Sequence, residues 1–190
     1  GTTSRGLGDV YKRQPLGSMN ILVSAYKSYL SKRFNIKEVA NDNILNLGGT
    51  REGTFSVIQS LFNKKIKSKK PYVLMPNPFY QIYGGATLLA GGISKQINLN
   101  EDNGFSLDLN SINENIWKKC QIFVACSPSN PTGSVLKEDE IRKIIKLSRK
   151  YGFYIVSDEC YIDIYRESKP KSFIEISYKQ FRNFKNIVSL

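Results

Sequence analysis

Short polar stretches follow the apolar runs of this sequence, and together they hold residue types that ligand chemistry uses. "NILNL" leads into Gly48, Gly49, Thr50 and Arg51, and "YVLM" into Pro76, Asn77, Pro78, Phe79 and Tyr80. "QIFVA" leads into "CSPSNPTG", Cys126 to Gly133, and "FYIVS" into Asp158, Glu159 and, one turn on, Tyr161. Pro128 and Pro131 bracket Asn130. Each proline fixes its own φ, removes a backbone donor and restricts the residue before it. The loop is therefore stiff and presents the Asn130 amide in one direction. Each stretch also has a plain structural reading. Glycines and Thr before a helix are common caps, an Asp at a strand end is often a cap, and an aromatic after a strand is usually core. "GGT" lacks the spacing of a GxGxxG or Walker loop, which argues against dinucleotides and nucleoside triphosphates.

The elements that must position these residues are legible from periodicity. Helices are expected over Ser18–Phe34, from Thr50 to Ile66, across "YQIYGGATLLAGG", up to about Trp117, and over "KEDEIRKIIKLSRKYG". The last carries Glu138, Asp139 and Glu140 in its first turn, Arg149 and Lys150 in its last, and Gly152 where a C-terminal cap belongs. Strands are expected at "DNILNLGG", "YVLM", "SKQINL", "QIFVAC", "FYIVSDE" and "NIVSL". Continuous apolar strands alternating with helices indicate an α/β domain with a mostly parallel sheet. In such sheets ligands bind at the carboxyl ends of the strands, where all the polar stretches fall. That edge offers a helix N-terminus for a phosphate, a flat aromatic, an amide, a phenol and a carboxylate. The set suits a small, flat, phosphorylated heteroaromatic cofactor.

Composition narrows the classes. The 190 residues are 41% hydrophobic and 12% aromatic, enough for a real core. No histidine is present, which excludes Ser-His and Cys-His catalysis within the segment and argues against zinc. Cys120, Cys126 and Cys160 form no CxxC pair and suit reduced thiols in a cytoplasmic protein. No apolar run is long enough to span a bilayer and no signal peptide is evident, so no membrane association is expected. Net charge is +12. Basic residues cluster only at "NKKIKSKK", Asn63 to Lys70, at a helix end, and charge of this kind argues solubility rather than nucleic-acid binding.

"GGTREG", "PNPFYQIYGGATLLAGG", "CSPSNPTGSVL", "SDECYIDIY" and the terminal "VSL" occur in the order seen in class I/II aminotransferases, fold-type I enzymes that use pyridoxal 5′-phosphate. The wording most resembles the succinyldiaminopimelate transaminases of lysine biosynthesis, and the resemblance runs from Pro15 to Leu190. It implies part of the large, cofactor-binding domain of a three-layer αβα enzyme. It also implies cofactor-binding roles. Gly49, Thr50 and Arg51 would hold the phosphate at a helix start, with a hydroxyl from Ser189. Tyr80 would stack on the ring. Asn130 and Tyr161 would bond its phenolic oxygen, and Asp158 would pair with the ring nitrogen and keep it protonated. The implied substrates are an amino acid and a 2-oxo acid, N-succinyl-LL-diaminopimelate with glutamate and 2-oxoglutarate in first place. Aspartate or an aromatic amino acid is the alternative. A homodimer is implied for the parent protein.

Departures from the family pattern shape the expectation. Gly48 stands where the family has Asn or Ser. The family's Schiff-base lysine would follow two residues past Leu190, so no catalytic residue is assigned within the chain. "SRGLGDVYKRQ", Ser4 to Gln14, matches the in-frame translation of a transposase-type sequencing adapter at every position. Residues 1–14 are therefore expected to be an artefact without a fold, and 15–190 an inactive fragment of an aminotransferase. Two other readings compete: an aminotransferase-like domain of a transcriptional regulator, and a basic α/β nucleic-acid binder, which leaves the ordered motifs unexplained.

Overall fold

Alternate residues along the strands feed two different cores. The structure, a computed structural model, describes residues 16–63 and 70–190, with side chains from residue 20 onward. The adapter-like Gly1–Gln14 and most of the basic run, Lys64–Lys69, lie outside the described residues. The chain divides into two units, Gly1–Asn46 and Leu47–Leu190.

The first unit holds helix α1, Leu16–Phe34, and a single 3-10 turn at Asn41–Asn43. Its Leu30, Phe34 and Ile36 are buried. The strand expected at "DNILNLGG" does not form: the 3-10 turn takes its start, and 44–49 carry no ladder. A strand is a paired structure, and its backbone groups need a neighbour. Among the described residues the sheet offers this segment none, and Leu45 is 81% exposed.

The second unit runs α2 (Thr50–Leu61), β1 (Tyr72–Asn77), α3 (Ile82–Ala90), β2 (Ile93–Asn98), α4 (Glu114–Lys119), β3 (Cys120–Cys126), α5 (Glu138–Tyr151), β4 (Tyr154–Asp158), α6 (Phe173–Phe181) and β5 (Ile187–Ser189). The strands form one sheet in the order β2-β1-β3-β4-β5, every pair parallel. Side chains alternate across a strand. Leu74, Phe123, Ala125 and Ile155 face one side, with Trp117 of α4, Ile141 and Ile144 of α5, and Phe173 of α6. Val73, Met75, Ile122, Val124 and Val156 face the other, with Ile58 of α2 and Tyr83 and Ala86 of α3. The result is three layers, αβα. Trp117 stacks on Phe153 with centroids 5.5 Å apart, and fully burying such a ring contributes about 1.5–3 kcal/mol.

Helix α5 forms as its sequence requires. Glu140 accepts the Lys137 N–H at 2.7 Å, and the left-handed Gly152 donates its N–H to Ser148 at 2.7 Å. Helix α6 occupies a segment for which no element was expected. Its Ser172 cap accepts from Ile174 N at 3.2 Å, and Lys171 pairs with Glu175. The short periodic stretch after "KPK" carried that signal.

Candidate functional site

The parallel ladder carries the strand ends into register: Cys126 pairs with Asp158, and Ser157 with Ser189. Helix α2 begins beside this edge. Thr50, Arg51, Tyr80, Asn130, Asp158 and Tyr161 line one cavity of about 200 Å³. Gly49 is the residue before α2 and adjoins the lining Thr50. Ser189 is half-buried and does not line the cavity; its hydroxyl donates to Glu159 Oε2 at 3.3 Å.

Asp158 is only 5% exposed, so its carboxylate needs compensation. Tyr83 supplies it, donating its hydroxyl to Asp158 Oδ2 at 2.7 Å from α3. Oδ1 receives the Cys160 N–H at 3.4 Å. Burial pushes the Tyr83 phenol far up, with Cys126 and Asp158 adding to the effect. It is a permanent donor. Tyr83 was missed in the sequence because an aromatic on a helix face reads as core. The spacing Tyr80–Tyr83, one helical turn from a predicted stacking ring, was the available signal. The two rings meet edge to face, centroids 5.9 Å apart, which fixes the plane of Tyr80.

The Asn130 loop is closed on itself. Ser129 N donates to Ser134 O at 2.9 Å, Gly133 N to Ser129 O at 2.7 Å, and Leu136 N to Ser127 Oγ at 3.0 Å. Gly133 sits at φ 70°, a left-handed turn position suited to glycine. The thiols of Cys126 and Cys160 complete the cavity wall. Burial, then the neighbouring Asp158, pushes Cys160 up to about 12. Burial likewise raises Cys126, opposed by the Asn130 N–H. Tyr161 is raised by charge at Cys160 and by desolvation and stays a phenol. The wall therefore holds a carboxylate at one point and neutral donors around it. Arg51 and the first turn of α2 carry positive charge at another.

Glu159, next to Asp158, is a second buried carboxylate, 6% exposed. Oε1 accepts from Ser157 Oγ at 2.7 Å and from Phe173 N at 2.9 Å, and Oε2 from Ser189.

A family model for aminotransferase class I and II matches residues 15–186. An LL-diaminopimelate aminotransferase of Halothermothrix orenii is 30% identical over 189 residues, 90% of this chain and 49% of that protein. A solved aminotransferase from Neisseria meningitidis superposes with a TM-score of 0.80 at 40% identity, covering 88% of this chain and 42% of that one. A probable N-succinyldiaminopimelate aminotransferase from Thermus thermophilus matches with a TM-score of 0.78 at 22% identity, covering 90% and 44%, a likeness of fold. Across these matches the chain spans less than half the length of the relative.

Proposed function

We propose, for a chain that belongs to the class I and II aminotransferases, that its cavity is the pyridoxal-phosphate cradle of a transaminase. The observation that carries this is the buried Asp158 at the cavity wall, one oxygen held by Tyr83 and the other lightly engaged. The wall fits the cofactor. A flat ring needs an aromatic face, its basic nitrogen a carboxylate, its phenolic oxygen donors, and its phosphate a cationic helix start. Tyr80, Asp158, Asn130 with Tyr161, and Thr50–Arg51 would take these roles in turn. The cofactor, when bound, supplies an electron sink for loss of the substrate's Cα proton. Asp158 keeps the ring nitrogen protonated, as an adjacent carboxylate raises such a pKa by about 1–3 units. Tyr80 orients the ring, and the Asn130 amide and Tyr161 hydroxyl hold its oxygen.

Among the described residues, those lining the cavity include no lysine. On this reading the amine that anchors the cofactor and moves the Cα proton belongs to the parent protein outside these residues, and the chain alone binds the cofactor weakly and does not transaminate. The parent would transfer an amino group between an amino acid and a 2-oxo acid, with N-succinyl-LL-diaminopimelate and glutamate as the first pair, on the resemblance and on a relative named for LL-diaminopimelate. Equilibrium dialysis of the chain against pyridoxamine 5′-phosphate, which forms no imine with surface lysines, tests the cradle. Saturable binding competed by pyridoxal phosphate is expected, and its absence overturns the reading. An amino-donor panel on the full-length gene product decides the substrate.

A further inference from the structure

The parallel sheet that gathers its strand ends at the cavity also gathers its strand starts at the opposite edge, and that edge is basic. Lys70 stands just before β1, and Lys119 just before β3. Arg149 and Lys150 close α5 before β4, and Arg182 and Lys185 lie between α6 and β5. All but Arg149 are exposed. Among the described residues, the segments joining a helix to the next strand hold no Asp or Glu. Glu114, which opens α4, is engaged by Lys118 and the Tyr151 hydroxyl. Acids collect past the strand ends instead, at Glu101 and Asp102 after β2, at the first turn of α5, and at Asp158 and Glu159. Helix dipoles favour cations at helix C-termini, which accounts for Lys119, Arg149 and Lys150. They do not account for exposed Lys95, inside β2, or for Lys185, beyond the α6 cap. Aromatic rings alternate with these cations. Lys95 and Lys119 lie 5.3 and 5.7 Å from the Tyr72 ring, Lys150 lies 4.9 Å from Tyr151, and Arg182 lies 5.1 Å from Tyr178. Tyr154, the first residue of β4, is 39% exposed.

We propose that this strand-start edge is a binding surface for single-stranded nucleic acid, engaged without regard to base sequence: the row of cations takes backbone phosphates, and the exposed ring of Tyr154 takes the face of a base. The row crosses a sheet of five strands. Strands spaced about 4.8 Å apart make it about 19 Å long, the reach of a few nucleotides. Among polyanions, a single strand offers both things this edge can use, regularly spaced charge and flat faces open to an aromatic. An acidic peptide offers only the charge, and a duplex keeps its base faces stacked inside. In the sequence the cations cluster only at Asn63–Lys70; the others come from separate places in the chain, which the parallel ladder brings to one edge. The inference is independent of the cofactor reading, since none of these residues lines the cavity.

Fluorescence anisotropy of a labelled deoxythymidine oligomer of about 15 nucleotides, titrated with the full chain between about 50 and about 200 mM salt, tests the surface. Each neutralised phosphate contributes about −0.7 to the slope of log affinity against log salt. Combining Lys119→Gln, Lys150→Gln and Lys185→Gln should therefore flatten the slope by about 2. Arginine at the same three positions should restore it. These side chains are exposed, and urea unfolding of both variants should match wild type. Tyr154→Leu should weaken the oligomer about fivefold or more and leave the slope unchanged, as loss of one stacked base requires. Pyridoxamine 5′-phosphate should not displace the oligomer. No binding at about 50 mM salt overturns the proposal. So does an unchanged slope in the glutamine variant, which would move the contact elsewhere, such as the Lys64–Lys69 run. Polyglutamate or a duplex binding as tightly as the oligomer, an inert Tyr154→Leu, or displacement by the cofactor analogue also overturns it.

Discussion

Tyr83 donates its hydroxyl to Asp158 Oδ2 across 2.7 Å, from a side chain with no exposed surface to one with 5%. The same ring braces Tyr80 edge-on. One residue of α3 thus orients both the carboxylate and the aromatic face of the cavity, and it does so from behind.

Tyr83→Phe should destabilise the chain by about 1.5–3 kcal/mol, the range for a hydrogen bond to a charged group. Urea unfolding near neutral pH measures it. Burial also holds the Tyr83 phenol far above its ordinary pKa. The sign follows: the raised group contributes stability that is complete below the unfolded value, about 10, and is lost as pH rises beyond it. The stability gap between wild type and Tyr83→Phe should narrow above about pH 10, where the unfolded tyrosine ionises.

Asp158→Asn keeps the shape and still accepts from Tyr83, but removes the charge. Pyridoxamine 5′-phosphate should bind about tenfold or more weakly, since a charge-assisted pair becomes a neutral one. Dialysis reads the loss. Unchanged affinity would mean that Asp158 does not face the ring nitrogen.

Arg51→Gln should weaken pyridoxamine 5′-phosphate and leave pyridoxamine untouched, because only the former carries the anion. The loss should shrink with added salt, as screened charge pairs do. Equal losses for both ligands would place Arg51 away from the phosphate.

Cys160 is exposed, yet burial of its thiol and the charge of Asp158 raise its pKa to about 12. Only the thiolate is nucleophilic. Its alkylation by iodoacetamide near neutral pH, followed by peptide mass spectrometry, should be about a thousandfold slower than for an ordinary cysteine, from a shift of about three units in pKa. Asp158→Asn should speed it.

Trp117→Ala should cost about 3–5 kcal/mol, because the ring is 3% exposed and stacked on Phe123, Tyr151 and Phe153. Thermal unfolding checks it, and cofactor binding at low temperature should survive, since α4 lies away from the cavity lining.

Helix α5 and strands β1, β3 and β4 were legible because their signals are local: charges matched to the helix ends, a glycine cap, short apolar runs. So was the convergence of Thr50, Arg51, Tyr80, Asn130, Asp158 and Tyr161, since a parallel sheet brings its strand ends to one edge. What failed was pairwise. "NILNL" has a strand's composition, but whether a strand forms depends on a neighbour that the segment cannot name. Tyr83 drew no reading and Glu159 was given no role, because partners at Asp158 and at Ser189 are distant in the chain or the register. The sequence thus determined which groups reach the edge, by period and punctuation. Only the tertiary structure decided which of them touch, since hydrogen bonds at 2.7 to 3.3 Å depend on packing between layers that no local pattern encodes.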